Sequence, residues 1–420
     1  MFLSLTNPKV RDDIYGKANW YPYYAGYAQG FVSDVIDFLN IKTNQIILDP
    51  WNGSGTTTQV AAQKNIMSYG FDINPVMVTV AKSKILSNIT YENLIDLAHE
   101  IVNRSSSSRM RINTSADPLN SWLLHPSSYQ FRKLKYYIMD SSILDSRFQG
   151  IHEFFLVVLF RTLKRLLIPF RSTNPTWIKK AKSKNERINI PRKKIYSTFL
   201  EETISMAKVF QPDDRKIRSI CEGKSVIDLC DSRCLKLLPN SIDHIITSPP
   251  YCTRIDYVVS TSPELSLLGY DTTTFHDLRC RMIGTNNIVE RKSCYSNSWG
   301  TTCYSFLNQV KNHPSKASKI YYLKTYLQYF YSLYRSLDEL NRVLKNRGTA
   351  TIVVQNSYYK NIYLDLSKII YEMVKPFKWG LMYKEEFSNS ATLSNVNVKS
   401  RVYRKIDVSI ETVLVFRKES

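Results

Sequence analysis

Two short segments of this 420-residue chain carry residue types that could do chemistry together. The first is a glycine-rich turn, Asp49-Pro-Trp-Asn-Gly-Ser-Gly-Thr-Thr57, directly after the apolar stretch 45–48. Glycines between a strand and a helix let the backbone approach a ligand closely and point helix N-terminal amides at it. Asp72 ends the next predicted strand, roughly 20 residues on, where an acid can accept both hydroxyls of a ribose. Since no Gly-Lys-Ser/Thr follows the turn, the pattern predicts a nucleoside site without phosphates.

The second segment is Thr247-Ser-Pro-Pro-Tyr251, again at the end of an apolar strand pattern. Ser248 offers a hydroxyl acceptor, the two prolines fix the backbone and remove its donors, and Tyr251 offers an aromatic face. If Ser248 Oγ and the Pro249 carbonyl accept the two N–H bonds of an exocyclic amine, the lone pair of that nitrogen becomes available. Such a site catalyses by positioning rather than with a strong base. A base within a duplex must be flipped out to reach it. The two segments together predict methyl transfer to a planar exocyclic amine.

On these residues the chain resembles the DNA amino-methyltransferases that use S-adenosylmethionine. Residues 49–57 are similar to the cofactor loop of that family, Asp-Pro-Phe-x-Gly-Ser-Gly-Thr-Thr, with Trp51 in place of Phe. Residues 247–251 are similar to its catalytic loop in the Ser-Pro-Pro-Tyr form, which is associated with N4 of cytosine more than with N6 of adenine. The resemblance covers roughly residues 15–90 and 225–420.

The resemblance implies roles for both loops and for neighbouring residues. The stretch from Tyr23-Tyr24 through Phe31 matches a helical region that covers the methionine end of the cofactor. Asp72 matches the ribose-binding acid, and Asp231 matches a position at the adenine edge. The catalytic residues are then Ser248, Pro249, Pro250 and Tyr251, and no metal ion is expected. The expected cofactor-binding residues are Tyr24, Phe31, Asp49, Pro50, Asn52, Gly53, Ser54, Gly55, Thr56, Thr57, Asp72, Ile73 and Asp231.

The charge of the chain indicates a polyanionic partner. It carries 57 Lys and Arg against 36 Asp and Glu, a formal net charge of +21, which favours binding to nucleic acid. Between residues 161 and 218 there are 16 basic and 5 acidic residues. A solvated surface would also explain this excess, but we favour contact with the phosphates of duplex DNA. The predicted DNA-binding residues are Lys179, Lys180, Lys182, Arg192, Lys193, Lys194 and Arg254.

Strand and helix patterns alternate in the first and last parts of the chain, which predicts an α/β fold with a Rossmann-like, doubly wound and mostly parallel sheet. The alternation breaks between about 91 and 218, where helical patterns and basic loops predominate. We therefore expect a discontinuous methyltransferase core over residues 1–95 and 219–420. Residues 96–218 should form a basic, mainly helical target-recognition insert that protrudes beside the catalytic face. We also expect a second, irregular insert over 271–318 and a short helix over 234–238.

Other functions match the sequence less well. A cytosine C5-methyltransferase needs a Pro-Cys nucleophile, and no Pro-Cys dipeptide occurs here. Pro212-Asp213 and Glu222-Gly-Lys224 match the metal-binding pattern of nucleases only loosely, so the reaction is expected to be free of magnesium and manganese. The alternatives that stay open are an N6-adenine DNA methyltransferase, an N2-guanine RNA methyltransferase and a catalytically silent DNA-binding protein.

The remaining composition bears on compartment and partners. The seven cysteines are scattered without zinc spacing, and we find no signal peptide, which favours a reducing cytosol. The apolar run 154–160 is too short to span a bilayer and predicts a helix packed on the core. We expect a cytoplasmic, nucleoid-associated protein of bacterial or phage origin. The resemblance implies a restriction–modification or defence setting, with a cognate restriction endonuclease or defence protein as partner.

Overall fold

The strands of the central sheet place successive apolar side chains on opposite faces. The structure is a computed structural model and describes residues 5–10, 16–23, 26–145, 147–172, 177–211, 224–252, 256–288, 295–389 and 409–420. Within these ranges seven strands pair in the order β3-β2-β1-β4-β5-β9-β8, and β6 pairs with β7 in a small hairpin. The strands are β1 (Ile46–Asp49), β2 (Met67–Asp72), β3 (Ser225–Leu229), β4 (Ile242–Thr247), β5 (Leu344–Gln355), β6 (Ser357–Tyr359), β7 (Ile362–Leu364), β8 (Trp379–Asn389) and β9 (Ser409–Lys418).

The pairing is parallel from β3 to β5 and antiparallel for β9 with both β5 and β8. The chain leaves β1 toward β2 and later returns to its other side with β4, so the strand order reverses between β1 and β4. Ligands bind in open α/β sheets at such a switch point, outside the carboxyl ends of the strands. The structure is thus the α/β, mostly parallel sheet that the strand–helix alternation predicts.

Helices cover both faces of this sheet. On one face, residues of α1 and α2 pack on Ile47, Ile246 and Val353; on the other, α11, α12 and α13 pack on Leu48 and Ile245. Strands β1 and β4 are buried on both sides, which explains why they read as continuous apolar runs in the sequence, whereas β3 at the edge of the sheet exposes Val226 and Leu229. The helices are α1 (Gln29–Phe38), α2 (Thr56–Gln63), α3 (Pro75–Lys84), α4 (Tyr91–Ser107), α5 (His125–Ile138), α6 (Ile151–Leu166), α7 (Arg192–Ala207), α8 (Tyr257–Ser260), α9 (Ser262–Leu268), α10 (Thr272–Arg281), α11 (Gly300–Asn312), α12 (Leu323–Val343) and α13 (Leu366–Val374).

The segment between β2 and β3 is mainly helical in its described part and packs on the core. Helices α4 to α7 share one apolar cluster with α3 and α9, in which Phe154 and Phe155 of α6 are both 0% exposed. Much of the segment therefore rests on α3. The expected boundary at residue 95 falls inside α4. Within the described residues, no helix is both long enough and apolar enough to cross a membrane.

Two local expectations were wrong. Residues 234–238 form a bent, irregular stretch, because side chains of α12 satisfy their backbone: Glu339 accepts from Leu235 N at 2.7 Å, and Arg342 donates to Leu237 O at 3.0 Å. Residues 271–318, expected to be irregular, carry α10 and α11. The apolar residues of α11 at positions 303, 306, 307 and 310 have the spacing of a helix and are buried against α12, so this helix could have been predicted.

His244 makes the stability of the sheet depend on pH. It lies on β4, with Nδ1 2.8 Å from Thr349 Oγ1 of β5, and burial lowers the pKa of its imidazole from 6.5 to about 4. Below pH 6.5 the unfolded chain binds a proton that the folded chain excludes, so stability falls as the pH drops from about 6.5 toward 4. We expect a loss of about 2–3 kcal/mol in unfolding free energy over this interval, measured by urea denaturation. The His244→Gln variant should lose less unfolding free energy over this interval than the wild type. An equal loss in variant and wild type would show that His244 does not cause the pH dependence.

Candidate active site

A cavity opens at the carboxyl ends of β1, β2 and β4, next to the switch point of the sheet. It encloses about 870 Å³ of empty space when its open mouth is included. The glycine-rich turn forms one side, and the Ser-Pro-Pro-Tyr loop forms another. The fold therefore brings together two motifs that lie almost 200 residues apart in the sequence.

Asp49 holds these two motifs in a fixed relation. Its buried carboxylate accepts from Tyr27 OH at 2.8 Å and from Thr57 Oγ1 at 2.7 Å through Oδ2. Through Oδ1 it accepts from Thr247 Oγ1 at 2.6 Å and from Trp51 N at 3.1 Å. Burial raises the pKa of Asp49, and these hydrogen bonds oppose part of that rise. The donors come from the N-terminal segment, α2, β4 and the turn, so one carboxylate joins four parts of the chain.

The glycine-rich turn needs glycine at position 55. Gly55 has φ +84° and precedes the first residue of α2, and a Cβ on it would lie 2.7 Å from Ala81 Cβ of α3. Only glycine combines this left-handed conformation with the close approach of α3. The turn is further fixed by Asn52 N, which donates to Phe71 O of β2 at 2.9 Å.

Asp72 presents a carboxylate to the cavity from the end of β2. Its Oδ2 accepts from Gly53 N at 2.9 Å and its Oδ1 from Asn74 N at 2.8 Å. Burial raises the pKa of Asp72 from 3.8 to about 6, and the two backbone N–H donors oppose the rise. Each oxygen keeps acceptor capacity, since a carboxylate has about four lone-pair sites. A ligand with two adjacent hydroxyls matches this group.

Asp231 lies after β3, the strand that pairs with β2. Arg233 donates to it from Nη2 at 2.7 Å and from Nε at 2.9 Å. Burial raises the pKa of Asp231, but the hydrogen bonds and charge of Arg233 outweigh burial, and the net shift is downward. Asp231 thus stays an ionised acceptor at neutral pH, which suits an exocyclic amine of a nucleobase.

The Ser-Pro-Pro-Tyr loop is held in place by a hydrogen bond to Glu411 on β9. Tyr251 OH donates to Glu411 Oε1 at 2.9 Å, and Ser248 Oγ lies 3.4 Å from Tyr251 OH. Glu411 is 0% exposed and lies near the start of β9, with Lys9 Nζ 3.6 Å from its Oε1. Burial and the charge of Glu411 raise the pKa of Tyr251 well above 10.0, so this phenol stays neutral. The hydroxyls of Ser248 and Tyr251 thus lead to the carboxylate of Glu411.

Most of the residues expected in the site line the cavity. Gly55 and Thr57 support the turn but do not line the cavity. Tyr24 and Arg254 lie outside the described residues. Phe31 does not line it either: α1 turns this ring into the core beneath the sheet, where it is 0% exposed and 5.6 Å from the Tyr27 ring. The expected residues that line the cavity are Asp49, Pro50, Asn52, Gly53, Ser54, Thr56, Asp72, Ile73, Asp231, Ser248, Pro249, Pro250 and Tyr251.

The expected DNA-binding residues occupy two places on the helical segment. Lys179, Lys180 and Lys182 are exposed on the stretch between α6 and α7. Lys180 Nζ lies 5.5 Å from the centre of the Phe275 ring on α10. The other group, Arg192 with Lys193 and Lys194, forms the exposed first turn of α7. No residue of either group lines the cavity.

Sequence reasoning missed several lining residues. Tyr23 and Tyr27 line the cavity within the expected stretch 23–31, although Tyr24 and Phe31 were the residues chosen from it. Glu411 was also missed, although an acid at the start of an otherwise apolar strand calls for a buried partner. The lining is completed by Trp51 of the glycine-rich turn together with Gly26, Asn74, Met77, Cys230, Ser232, Tyr257 and residues 281–283.

Comparison with known proteins agrees with this geometry. The chain matches the N6_N4_Mtase family, described as DNA methylase, over residues 30–83 and 242–420. The chain belongs to this DNA methylase family. The matched ranges contain the glycine-rich turn and the Ser-Pro-Pro-Tyr loop, whereas helices α4 to α7 fall outside them. The seven-stranded sheet with its antiparallel β9 is that of a class I methyltransferase.

Individual relatives are type II methyltransferases. The methylase is 25% identical over 391 residues to type II methyltransferase M.BsoBI of Geobacillus stearothermophilus, a match that covers 86% of this chain and 72% of the relative. It is 24% identical over 385 residues to type II methyltransferase M.AvaI of Nostoc sp. (strain PCC 7120), covering 84% and 76%. A solved structure titled "Crystal structure of MccD protein" covers 92% of this chain and 96% of its own, at 9% identity and a TM-score of 0.32, which is too weak a likeness for any argument.

The Asp49 network predicts a large effect from a small change. Thr247→Val keeps the shape of the side chain but removes the 2.6 Å hydrogen bond to the buried carboxylate. We expect a loss of about 1–3 kcal/mol in unfolding free energy, measured by chemical denaturation. Thr351→Val on β5 is the matched control, because Thr351 is equally buried and its Oγ1 has no hydrogen-bond partner among the described residues. Equal effects of the two substitutions would refute the role of the network.

Proposed function

We propose that this DNA methylase transfers a methyl group from S-adenosylmethionine to the exocyclic N4 of a cytosine flipped out of duplex DNA. The observation that carries the proposal is one cavity with two ends of different chemistry. Asp72 and Asp231 present carboxylates at one end, and Ser248 with its two prolines presents hydroxyl and carbonyl acceptors at the other. A donor nucleoside and an acceptor amine can therefore lie side by side.

The residues present fit the cofactor. Asp72 would hold the two ribose hydroxyls, Asp231 would accept from the adenine amine, and the turn at Gly53 and Ser54 would pass under the methionine part. Arg281 is the only Lys or Arg among the described lining residues, so the cavity suits a nucleoside without phosphates. When bound, the cofactor supplies a methyl group on a positively charged sulfur.

The protein contributes orientation and hydrogen-bond polarity. Because Tyr251 donates its proton to Glu411, its oxygen is free to accept the proton of Ser248. Ser248 Oγ then turns its lone pairs toward the cavity, where it and the Pro249 carbonyl would accept the two N–H bonds of the amine. This draws the nitrogen lone pair out of the ring and aims it at the methyl group. After transfer the amine must lose a proton, and the hydroxyls of Ser248 and Tyr251 lead from it toward Glu411.

Support for cytosine as the target comes from Ser248 at the head of the loop. A serine hydroxyl is a neutral acceptor, and the family associates this form of the loop with N4 of cytosine. The relatives named as type II methyltransferases support a site-specific enzyme of a restriction–modification system, with a cognate endonuclease as its partner. Adenine N6 is the rival target, since the matched family covers both kinds of methylation.

The deciding experiment identifies the product. The purified protein is incubated with S-adenosylmethionine and mixed-sequence duplex DNA, the DNA is digested, and the methylated nucleoside is identified by mass spectrometry. We expect N4-methylcytosine; N6-methyladenine would overturn the choice of base and keep the fold and the site. Ser248→Ala should lower kcat by about 100-fold or more while cofactor affinity is unchanged, because an acceptor used in the transition state is lost. Wild-type turnover in that variant would remove Ser248 from the mechanism.

Asp72 should make cofactor affinity depend on pH. The carboxyl has a pKa of about 6 in the free protein, and ribose hydroxyls donate only to its ionised form. Binding therefore favours loss of the proton, and affinity should fall by up to about tenfold per pH unit below pH 6 and level off above it. Calorimetric titration from about pH 5 to about pH 8 measures this. Asp72→Asn should bind weakly at every pH without the slope; a wild-type affinity that is level across pH 6 would contradict the ribose assignment.

A further inference from the structure

Trp177 is a large aromatic side chain held at the surface by an anchored stretch of backbone. We define the tryptophan loop as residues 177–182. Lys179 N donates to Phe170 O at 2.9 Å and Ala181 N donates to Ser121 O at 3.0 Å. The indole of buried Trp122 donates to Lys179 O at 2.7 Å. Trp177 itself is 50% exposed. The loop is thus fixed on the helical segment, while the ring it carries remains in solvent.

The surroundings of Trp177 are strongly basic. Lys179, Lys180 and Lys182 of the same loop are exposed. From residue 177 to residue 194 the chain has eight Lys or Arg and one acidic residue, Glu186. A protein partner would bury the aromatic ring against apolar surface and leave these cations without a counter-charge. An aromatic ring among cations matches nucleic acid, which offers phosphates and the faces of bases together.

The tryptophan loop contacts the helix that leads to the active-site cavity. Lys180 Nζ is 5.5 Å from the ring of Phe275 on α10. Helix α10 ends at Arg281, and Arg281, Met282 and Ile283 line the cavity. Arg281 lies six residues after Phe275, about 9 Å along the helix axis, which corresponds to about three base pairs of duplex at 3.4 Å each. A duplex that delivers a base into the cavity would pass within reach of the loop.

We propose that Trp177 stacks on a base of the bound DNA, at or next to the position that the flipped-out nucleotide vacates. The proposal rests on the proposed function, since it requires a duplex with one nucleotide extruded. Extrusion leaves an unstacked gap, and an aromatic face that fills it replaces the lost stacking. Stacking needs no particular base, so Trp177 would favour the opened duplex and leave sequence reading to other residues.

The test compares two duplexes and two substitutions. The probes are a fluorescently labelled mixed-sequence duplex and the same duplex with one abasic site, titrated by anisotropy with S-adenosylhomocysteine present. We expect the wild type to prefer the abasic duplex, because the gap accepts the indole. Trp177→Ala should bind the abasic duplex about tenfold more weakly and lose the preference. Trp177→Phe should keep most of it, since the phenyl ring still stacks.

Salt dependence separates stacking from phosphate contact. Trp177→Ala should leave the slope of log affinity against log salt unchanged, whereas the double substitution Lys179→Gln, Lys182→Gln should reduce it by about 2. Tyr304→Ala is the matched control, because Tyr304 on α11 is 55% exposed and its ring lies 5.1 Å from that of Tyr295. An unchanged affinity of Trp177→Ala for both duplexes would overturn the proposal, as would a changed salt slope.

Two further outcomes are distinguishable. If Trp177→Ala leaves DNA binding intact but alters the mass of the protein in solution, the ring belongs to a protein contact and the proposal falls. If the wild type neither binds duplex nor methylates it, the proposed function fails first. Thermal melting and cofactor affinity of Trp177→Ala should equal those of the wild type, which shows that the fold and the cavity are unaffected.

Discussion

The arrangement of the site depends on the buried carboxylate of Asp49. A buried carboxylate is costly unless donors surround it, and here the donors are Tyr27, Thr57, Thr247 and the backbone of Trp51. The first two place the N-terminal segment and α2 against β1. Thr247 immediately precedes Ser248, so the same carboxylate fixes the distance between the glycine-rich turn and the Ser-Pro-Pro-Tyr loop. The relative position of the two ends of the cavity therefore depends on this one residue.

A second constraint comes from the helical segment outside the family match. Lys164 of α6 forms an ion pair of 2.7 Å with Glu264 of α9, and Tyr21 OH donates to the same oxygen at 2.6 Å. Arg132 of α5 donates to Ser266 O at 2.7 Å, near the end of α9. Helix α9 follows the Ser-Pro-Pro-Tyr loop in the chain. The helical segment thus holds α9 in place through these contacts, and the two share one apolar core.

Much of the fold follows from local patterns. Apolar runs at residues 45–48, 225–228 and 243–247 predict β1, β3 and β4, and β1 and β4 show why: strands buried on both faces need no polar alternation. Glycine at 55 predicts the turn because few other residues adopt its conformation. The bent stretch at residues 234–238 was not predicted because Glu339 and Arg342, more than 100 residues away, provide the hydrogen bonds. Propensity over five residues cannot compete with such contacts.

The sequence by itself determined the chemistry of the two motifs, since their residue types and order need no distant partner to be recognised. Only the tertiary structure decided which aromatic residues face the cavity: Phe31 on α1 is buried in the core, whereas Tyr23 and Tyr27, in the stretch before α1, line the site. It also decided that Glu411 braces Tyr251, a contact between residues 160 positions apart. Contacts of this kind depend on the register of β9 against β5, and many residues share in fixing that register.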